Sequence, residues 1–384
     1  MKIDDKTSHN SPSLRFPEFN GEWVLNEMWN IAPLQRGFDL PSGNVLDGTI
    51  PVVYSNGILR YHNDYKCKAP AVITGRSGTI GKFTYLDKGY YWPHNTTLWV
   101  TDFCHNNPKF IYYLYQTINI SQFATGSGVP TLNRNDVHRH RCYLPKSIDE
   151  QRKIAAFLSL IDERIAVQNR LIDRLQSLMI GLNNSLYEQY GNDITTSFME
   201  LGYSYSGLSG KSAKDFGSGK PFITYLNVYS NIIVDETDYQ YVRINDGEKQ
   251  NIVRTGDVLF TLSSETPEEV GIGSVYLGEK EVYLNSFCFG IHIERNQLAY
   301  SPYLSYYVTS TAFRKFIYPF AQGSTRFNLC KADFEKASIK LPSLDNQKRI
   351  SAMLDCIAEK IQAEKAILEY YNIQRQYLLR QMFI

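Results

Sequence analysis

The chain has 384 residues, of which 43% are hydrophobic and 21% charged, and its 40 basic and 39 acidic side chains leave a formal net charge of +1 at pH 7. This composition excludes a disordered chain and a fibrous protein, and the length predicts about two or three domains. Because the charges balance, a general basic field is excluded, and any contact with nucleic acid must come from local patches.

The start of the chain gives no sign of a targeting segment. Residues 1–13 form a polar tail that lacks the charged and then apolar order of a signal peptide. No stretch stays apolar over the roughly 18 residues that a membrane span requires. The six cysteines are scattered, with no Cys-x-x-Cys pair and no histidine at metal-binding spacing. We therefore expect a cytoplasmic protein with reduced thiols, no metal and no membrane contact.

Residues 14–147 indicate a first globular block of mixed α/β type. Short β-branched or aromatic stretches at 71–74, 81–86 and 97–100 are separated by glycine, asparagine and aspartate, as in strands joined by turns. Pro108 stands where a short helix over 108–116 would begin. Residues 75–83 resemble a phosphate-binding loop, but the glycine spacing is one residue too long and no hydroxyl residue follows the lysine. A glycine-containing hairpin is therefore favoured there.

Residues 148–190 are predicted to form a long helix with a heptad seam. Its apolar positions recur at alternating steps of four and three residues, with one polar interruption. Ser147 and Glu150 have the spacing of a capping box at the start of this helix. The main seam residues are Ile154, Leu158, Ile161, Ile165, Gln168, Ile172 and Leu175.

Residues 191–343 repeat the plan of the first block. The sequence at 123–127 recurs at 320–324, at an offset of 197 residues. Before these segments the sequence matches between the two blocks are weaker and their offset varies, as expected where loops differ in length. Predicted elements of this block are strands at 257–262, 273–277 and 287–293, and a short helix at 302–309. The repeat predicts two blocks with one architecture.

Residues 344–384 are predicted to form a second long helix. At an offset of 196 residues the seam recurs at Ile350, Leu354, Ile357, Ile361, Glu364 and Leu368. Two matching stripes in one chain can cover each other, and the folded block between them favours an antiparallel return. The predicted fold class is therefore α/β (α+β), with two tandem domains each followed by a long helix, and with the helices forming an antiparallel coiled coil.

Basic and polar residues in both blocks are candidates for DNA contact. Arginine and asparagine suit bidentate contacts with guanine and adenine, and small residues let the backbone approach phosphate. A solvated basic loop beside a helix start is the alternative for each residue taken singly, but recurrence in both halves favours binding. The candidates are Arg76, Ser127, Thr131, Arg134, His138, Ser324, Thr325, Arg326, Asn328 and Lys331. No spacing typical of a nucleophile or of zinc occurs, so no catalytic residue is predicted.

The arrangement resembles the specificity subunit of type I restriction-modification enzymes. Residues 144–154, with Leu-Pro followed by Glu-Gln-x-x-Ile, are similar to that family's signature, and residues 341–350 repeat it with asparagine in place of glutamate. The resemblance extends from about Leu14 to the last residue. It implies that 14–147 and 191–343 are target recognition domains, each reading one half of a bipartite, asymmetric DNA site.

The resemblance also implies partners. The helices at 148–190 and 344–384 would space the two recognition domains and dock two modification (methyltransferase) subunits, and restriction subunits would join the complex. S-adenosylmethionine and ATP would bind to those partner subunits, and no cofactor would bind to this chain, which would not be an enzyme. Because the chain is nearly neutral, the partners would supply part of the positive charge that DNA binding requires.

Two other classes of function stay open at this point. One is a non-enzymatic scaffold with two tyrosine-rich protein-binding modules on a coiled coil. The other is a self-sufficient enzyme, which the missing catalytic motifs disfavour. Salt-dependent binding to duplex DNA in the presence of modification subunits separates the scaffold from a DNA-specificity subunit.

Overall fold

The structure is a computed structural model that describes residues 10–126 and 128–384. It contains two compact units. Unit 1 comprises the described residues up to Asn169 together with Ala366–Ile384, and unit 2 comprises Arg170–Lys365. The sequence predicted blocks and helices as successive segments, whereas each compact unit contains one block and half of each long helix.

Unit 1 is a mixed α/β fold. Its strands are β1 (Val24–Glu27), β2 (Leu34–Arg36), β3 (Ile50–Tyr54), β4 (Gly57–His62), β5 (Cys67–Lys68), β6 (Ala71–Gly75), β7 (Phe83–Leu86), β8 (Tyr90–Pro93), β9 (Thr97–Val100), β10 (Ala124–Thr125), β11 (Thr131–Leu132) and β12 (Arg141–Leu144). Its helices are α1 (Met28–Ile31), α2 (Pro108–Thr117), α3 (Arg134–Arg139), the first half of α4 (Ile148–Tyr190) and the second half of the last long helix of the chain.

Unit 2 is also a mixed α/β fold. Its strands are β13 (Ile194–Thr196), β14 (Gly202–Ser206), β15 (Phe216–Ile223), β16 (Tyr239–Val242), β17 (Val258–Thr261), β18 (Ser263–Ser264), β19 (Gly273–Val275), β20 (Tyr283–Leu284), β21 (Cys288–Ile293), β22 (Ala321–Gln322), β23 (Phe327–Leu329) and β24 (Ile339–Leu341). Its helices are the second half of α4, α5 (Phe198–Leu201), α6 (Tyr225–Ser230), α7 (Ser301–Tyr307), α8 (Thr311–Ile317), α9 (Lys331–Lys336) and the first half of α10 (Leu344–Met382).

The sheets of the two units have matching topology. Unit 1 has a four-stranded antiparallel sheet in the order β2-β9-β6-β7, and unit 2 has one in the order β14-β21-β17-β19. Beside it, each unit has a second sheet with one parallel pair, β3 with β8 in unit 1 and β15 with β20 in unit 2. The internal repeat therefore extends through strands whose sequences have diverged.

The core of unit 1 joins its globular block to both long helices. Phe110 on α2 is fully buried, and its ring centroid lies 5.2 Å from that of Phe383, which follows α10. Helix α2 begins at Pro108, and the side chain of Asn107 accepts a hydrogen bond from the Phe110 amide at 2.9 Å. The amide of Leu14 donates to the carbonyl of Gln381 at 2.8 Å. The segment that leads into β1 is thus tied to the end of α10.

The core of unit 2 is built largely on phenylalanine. The ring centroids of Phe198, Phe260 and Phe334 lie 5.1 to 5.5 Å from one another, and all three side chains are fully buried. Phe289 and Phe313 extend the cluster. Aromatic rings have large apolar surfaces and pack edge to face, so this part of the aromatic content stabilises the interior.

The long helices follow the predicted heptad periodicity. All the predicted seam residues are buried or half-buried, whereas Leu160 and Val167, which lie off the seam, are 56% and 54% exposed. In unit 1 the core contains Leu158 of α4 and Leu378 of α10, and in unit 2 Leu354 of α10 belongs to the core onto which the end of α4 packs. In each unit, the beginning of one long helix therefore packs beside the end of the other.

The predicted capping box at the start of α4 is only half right. The amide of Glu150 donates to the hydroxyl of Ser147 at 3.3 Å, as a cap requires. The carboxylate of Glu150 instead pairs with the guanidinium of Arg15 at 2.8 Å and accepts from the indole of Trp23 at 3.2 Å. A guanidinium forms a stronger charge-assisted bond than a backbone amide does, so Glu150 anchors the segment before β1.

The two motif glutamines lock each long helix to its block. The amide of Gln151 accepts from the backbone of Asn107 at 2.8 Å and donates to the carbonyl of Pro145 at 3.1 Å. Gln347 repeats this in unit 2, where it accepts from Tyr300 at 2.8 Å and donates to the carbonyls of Leu298 and Pro342 at 2.8 and 2.9 Å. Both side chains are buried, so the Leu-Pro and Gln-x-x-Ile parts of the motif form one structural unit.

We expect Gln347→Leu to lower the free energy of unfolding by about 2–4 kcal/mol, because it leaves buried backbone groups without hydrogen-bond partners. Gln374→Leu, on the exposed face of the same helix, is the matched control and is expected to leave stability nearly unchanged. Urea unfolding followed by circular dichroism measures both. Equal stability of the two variants would contradict the structural role of the motif glutamine.

Candidate nucleic-acid interface

Four loops of unit 1 meet at one end of its sheets. The amide of His94 donates to the carbonyl of Val53 at 2.9 Å, which joins the β8–β9 loop to the end of β3. The amide of Arg76 donates to the carbonyl of Thr96 at 2.7 Å, and the carbonyl of Arg76 accepts from Leu132 at 2.7 Å. We call this region, residues 54–57, 76–82, 94–96 and 128–131, the loop end of unit 1.

The same backbone bonds recur in unit 2. The amide of Asn285 donates to the carbonyl of Ile223 at 3.0 Å, and the amide of Leu262 donates to the carbonyl of Phe287 at 2.9 Å. The carbonyl of Leu262 accepts from Leu329 at 2.9 Å. The corresponding loop end of unit 2 comprises residues 224–226, 263–269, 285–287 and 323–328.

The shared bonds show which residues occupy equivalent places. Thr96 in unit 1 corresponds to Phe287 in unit 2, since each carbonyl accepts the equivalent hydrogen bond. Thr131, which forms a β-bridge with Ser77, corresponds to Asn328, which pairs with Ser263. The backbone frame is therefore the same in both units, whereas the side chains that it carries differ. A rigid frame with variable loop residues is typical of a binding surface.

The loop end of unit 1 carries hydrogen-bonding and cationic groups. The guanidinium of Arg76 donates to the carbonyl of Asn95 at 3.3 Å, and Lys82 donates to the carbonyl of Asn56 at 2.7 Å. The imidazole of His94 contacts the hydroxyl of Thr96 at 3.0 Å, and burial lowers its pKa below the usual value. His94 is therefore neutral at pH 7, and the two cations supply the charge.

The loop end of unit 2 combines one arginine with an exposed phenylalanine and a half-buried tyrosine. Phe287 is 54% exposed, and the guanidinium carbon of Arg326 lies 5.7 Å from the centroid of its ring. Tyr225 donates its hydroxyl to the carbonyl of Ser263 at 2.9 Å. Burial raises the pKa of Tyr225, and the charges of Glu269 and Arg326 act on the same hydroxyl. Aromatic rings beside an arginine form a surface suited to contacts with bases.

Most of the predicted contact residues lie at these loop ends. Arg76 and Thr131 belong to the first, and Ser324, Thr325, Arg326 and Asn328 belong to the second. Arg134 is exposed at the first residue of α3. Ser127 lies outside the described residues.

Two predicted contact residues are engaged in the fold instead. His138 is 5% exposed, and its Nε2 accepts a hydrogen bond from the amide of Leu34 at 2.8 Å, so its ring belongs to the interior of unit 1. Arg134, one helical turn before His138, is exposed. The ammonium of Lys331 is half-buried, 5.0 Å above the ring of Phe289 and 3.6 Å from the carboxylate of Glu335.

Other residues at the loop ends were not predicted from the sequence. They are Tyr54, Lys82, His94, Tyr225 and Phe287. They fall where the repeat offset varies. For His94 and Phe287, the recurring backbone bonds identify the equivalent positions, which are Asn285 and Thr96.

The described residues offer neither a membrane-spanning helix nor a cluster of metal ligands. None of the described helices combines the length and the apolar content needed to cross a bilayer. Among residues 10–126 and 128–384, no group of His, Cys, Asp or Glu is large enough to hold a metal ion. All six cysteines are free.

Comparison with known proteins identifies similar sequences. The family model described as type I restriction modification DNA specificity domain matches residues 25–177 and 208–370. A protein of Mycoplasma pneumoniae named as a type I specificity subunit is 27% identical over 182 residues, which are 44% of this chain and 46% of that protein. The StySPI specificity subunit of Salmonella potsdam is 27% identical over 150 residues, 39% of this chain and 32% of that protein. These alignments span less than half of each relative's length.

Solved structures have a similar fold over nearly the whole chain. The S subunit of a type I restriction-modification system from M. genitalium has a TM-score of 0.58 at 16% identity and covers 97% of this chain and 99% of its own. A structure from a study of complex assembly and conformational transition of the type I R-M system has a TM-score of 0.56 at 17% identity, covering 93% of this chain and 96% of its own. At these identities the likeness concerns the fold.

Proposed function

Because this chain belongs to the family of type I restriction-modification DNA specificity domains, we propose that it is the DNA sequence-specificity subunit of a type I complex. Each unit would read one half of a bipartite, asymmetric DNA site through its loop end. The observation that carries this proposal is the recurrence of one backbone frame with different side chains at the two loop ends. Two units with the same backbone frame and different loop-end side chains suit two half-sites of different sequence.

The long helices would serve as the spacer and the docking surface for partners. The heptad periodicity and the paired half-helices of each unit support an antiparallel coiled coil. On the family pattern, two modification subunits bind along these helices and restriction subunits join them. The chain itself would be non-catalytic, and S-adenosylmethionine and ATP would bind to the partner subunits.

The net charge of +1 favours binding as part of a complex. A protein that closes on DNA alone usually carries a larger positive excess, because each neutralised phosphate releases counterions. The complex with modification subunits is therefore the form to test. Sequencing methylated bases in a host with and without this chain is expected to reveal one asymmetric, interrupted motif that depends on the chain. Salt-independent binding to proteins alone would instead support the scaffold.

We expect Arg326→Ala to weaken binding or methylation by about 1–3 kcal/mol at one half of the motif, if the guanidinium contacts a base. Arg295→Ala is the matched control, because Arg295 is exposed beyond the end of β21 that lies away from Phe287. Titration of labelled duplexes at two salt concentrations measures both variants. Unchanged affinity and an unchanged motif would exclude Arg326 from the interface.

A further inference from the structure

The loop end of unit 2 presents Arg326 in a restrained position. Arg326 lies in the turn between β22 and β23, whose strands pair Ala321 with Leu329. Gly323 in this turn has a φ of +143°, and a Cβ there would lie 2.2 Å from the carbonyl oxygen of Arg326. Only glycine fits such a turn without strain, so the turn that leads into Arg326 depends on Gly323.

Phe287 is held equally firmly, although its ring is exposed. Its amide donates to the side chain of Asn285 at 2.9 Å, and its carbonyl accepts from Leu262 at 2.9 Å. Both ends of its peptide are thus anchored to the frame, while the ring is 54% exposed. This exposed ring lies beneath the guanidinium of Arg326, whereas most phenylalanines of unit 2 belong to its core or pack against it.

The chemistry around Arg326 favours a base edge over a phosphate. Within the described residues, Arg326 forms no hydrogen bond and no ion pair, so its guanidinium donors are available to a ligand. Glu269 lies in the same loop end and is held by hydrogen bonds from Tyr229 and Ser264 at 2.8 and 2.9 Å, which lower its pKa and keep it charged. A fixed carboxylate repels phosphate but tolerates a neutral base edge.

We propose that Arg326 reads a G·C pair in the half-site of unit 2, and that Phe287 is the positioning residue that orients its guanidinium. This inference rests on the proposed function. A guanidinium held over a ring has fewer orientations open to it, and its planar fork matches O6 and N7 of guanine in the major groove. In unit 1 the equivalent of Phe287 is Thr96, so this mode of reading is confined to one half-site.

The test compares conservative variants in the full complex. Arg326→Lys keeps the charge and removes the fork, Phe287→Ala removes the ring, and Phe287→Tyr keeps it. The probes are duplexes that carry the wild-type methylation motif and a set with each base pair changed singly. We expect Arg326→Lys to reduce discrimination at one G·C pair by roughly 5- to 150-fold with an unchanged salt slope. Phe287→Ala is expected to relax the same pair, and Phe287→Tyr to retain discrimination.

A control variant tests whether the effect depends on the ring of Phe287 or follows from the loss of any exposed ring. Phe216→Ala removes a ring that is 41% exposed at the far end of β15, and it is expected to leave the motif unchanged. Unchanged unfolding temperatures show that the variants fold.

Three outcomes would overturn the inference. An unchanged motif in Arg326→Lys assigns the residue to phosphate, and relaxation in Arg326→Lys but not in Phe287→Ala removes the positioning role. A wild-type complex without sequence preference overturns the proposed function itself, and this result is seen before any variant is made.

Discussion

A fragment of residues 1–190, expressed with the modification subunit, is expected to direct methylation to an interrupted palindrome, whereas the full chain directs it to an asymmetric site. The fragment keeps one recognition block and one long helix. Without the second long helix, the heptad seam of the first exposes an apolar stripe. A second copy can cover that stripe. Two identical readers related by a two-fold axis require identical half-sites in opposite orientation. Sequencing of methylated bases gives the motif.

The interiors of the units explain why a second copy would fit. In the full chain Phe383 packs on α2 in unit 1, with its ring centroid 5.2 Å from that of Phe110. Tyr187, which lies 196 positions earlier, packs on α7 in unit 2, with its ring centroid 5.6 Å from that of Tyr307. In a dimer of the fragment, the end of α4 from one copy can therefore take the place of the missing end of α10 in the other.

A pair of leucine variants tests this arrangement within the fragment. Leu182 packs against the core of unit 2, whereas Leu178 on the same helix is 55% exposed. We expect Leu182→Asp to make the fragment monomeric by light scattering and to abolish methylation, and Leu178→Asp to change neither. If the unmodified fragment is monomeric, or if it dimerises without modifying DNA while the full chain does, the units do not read half-sites independently.

Lengthening both long helices by one heptad is expected to widen the unread gap of the DNA site and to leave both half-sites unchanged. The insertions follow Asn169 in α4 and Lys365 in α10, where the compact units divide. A whole heptad keeps the seam residues on one face. At ~1.5 Å per residue the insert adds ~10 Å, which is about three base pairs of duplex. The methylated motif reports the gap directly.

Insertion into α4 alone is the matched control for the double insertion. It shifts the two seams against each other, so buried leucines face the wrong partners and the free energy of unfolding is expected to fall. A stable double-insertion protein that still recognises the original gap would show that the helices do not set the spacing.

The long helices were predictable because a heptad pattern is local. The predicted range 148–190 is the range of α4, and α10 ends within two residues of the predicted bound. Helix α2 is similar, since Pro108 marks its first turn. The family resemblance seen in residues 144–154 is confirmed by the match to the family model. The structure adds the reason for the motif, which is the buried amide of Gln151.

Errors arose where a distant partner decides the role of a side chain. Glu150 has the spacing of a capping residue, yet Arg15, 135 residues away in sequence, takes its carboxylate. His138 is part of a basic cluster in the sequence, yet its ring accepts a hydrogen bond from Leu34, 104 residues away. Local patterns contain no information on such contacts, because the fold brings them together only after the strands have paired.

The candidate interface was only partly predictable for a related reason. Arg326 and Asn328 stand out because the Gly-Ser step before them recurs in both blocks. Phe287 corresponds to Thr96 at an offset of 191 residues, while Leu329 corresponds to Leu132 at an offset of 197. Insertions between these points change the offset, so the sequence does not show which positions are equivalent. The backbone hydrogen bonds that recur in both units do show it.

The hydrogen bond from Leu14 to Gln381 places the segment that enters the first block next to the end of α10, so the order of the two blocks along the chain can be permuted by design. In unit 2, α4 passes into β13 through residues 191–193, and in unit 1 the end of α10 lies beside the segment that enters β1. Each block is thus entered from the end of a long helix in the same way. A circularly permuted chain, closed by a short peptide between residues 384 and 14 and opened within 191–193, would have the same contacts. On the proposed function, such a permuted chain is expected to direct methylation to the same DNA site as the original chain.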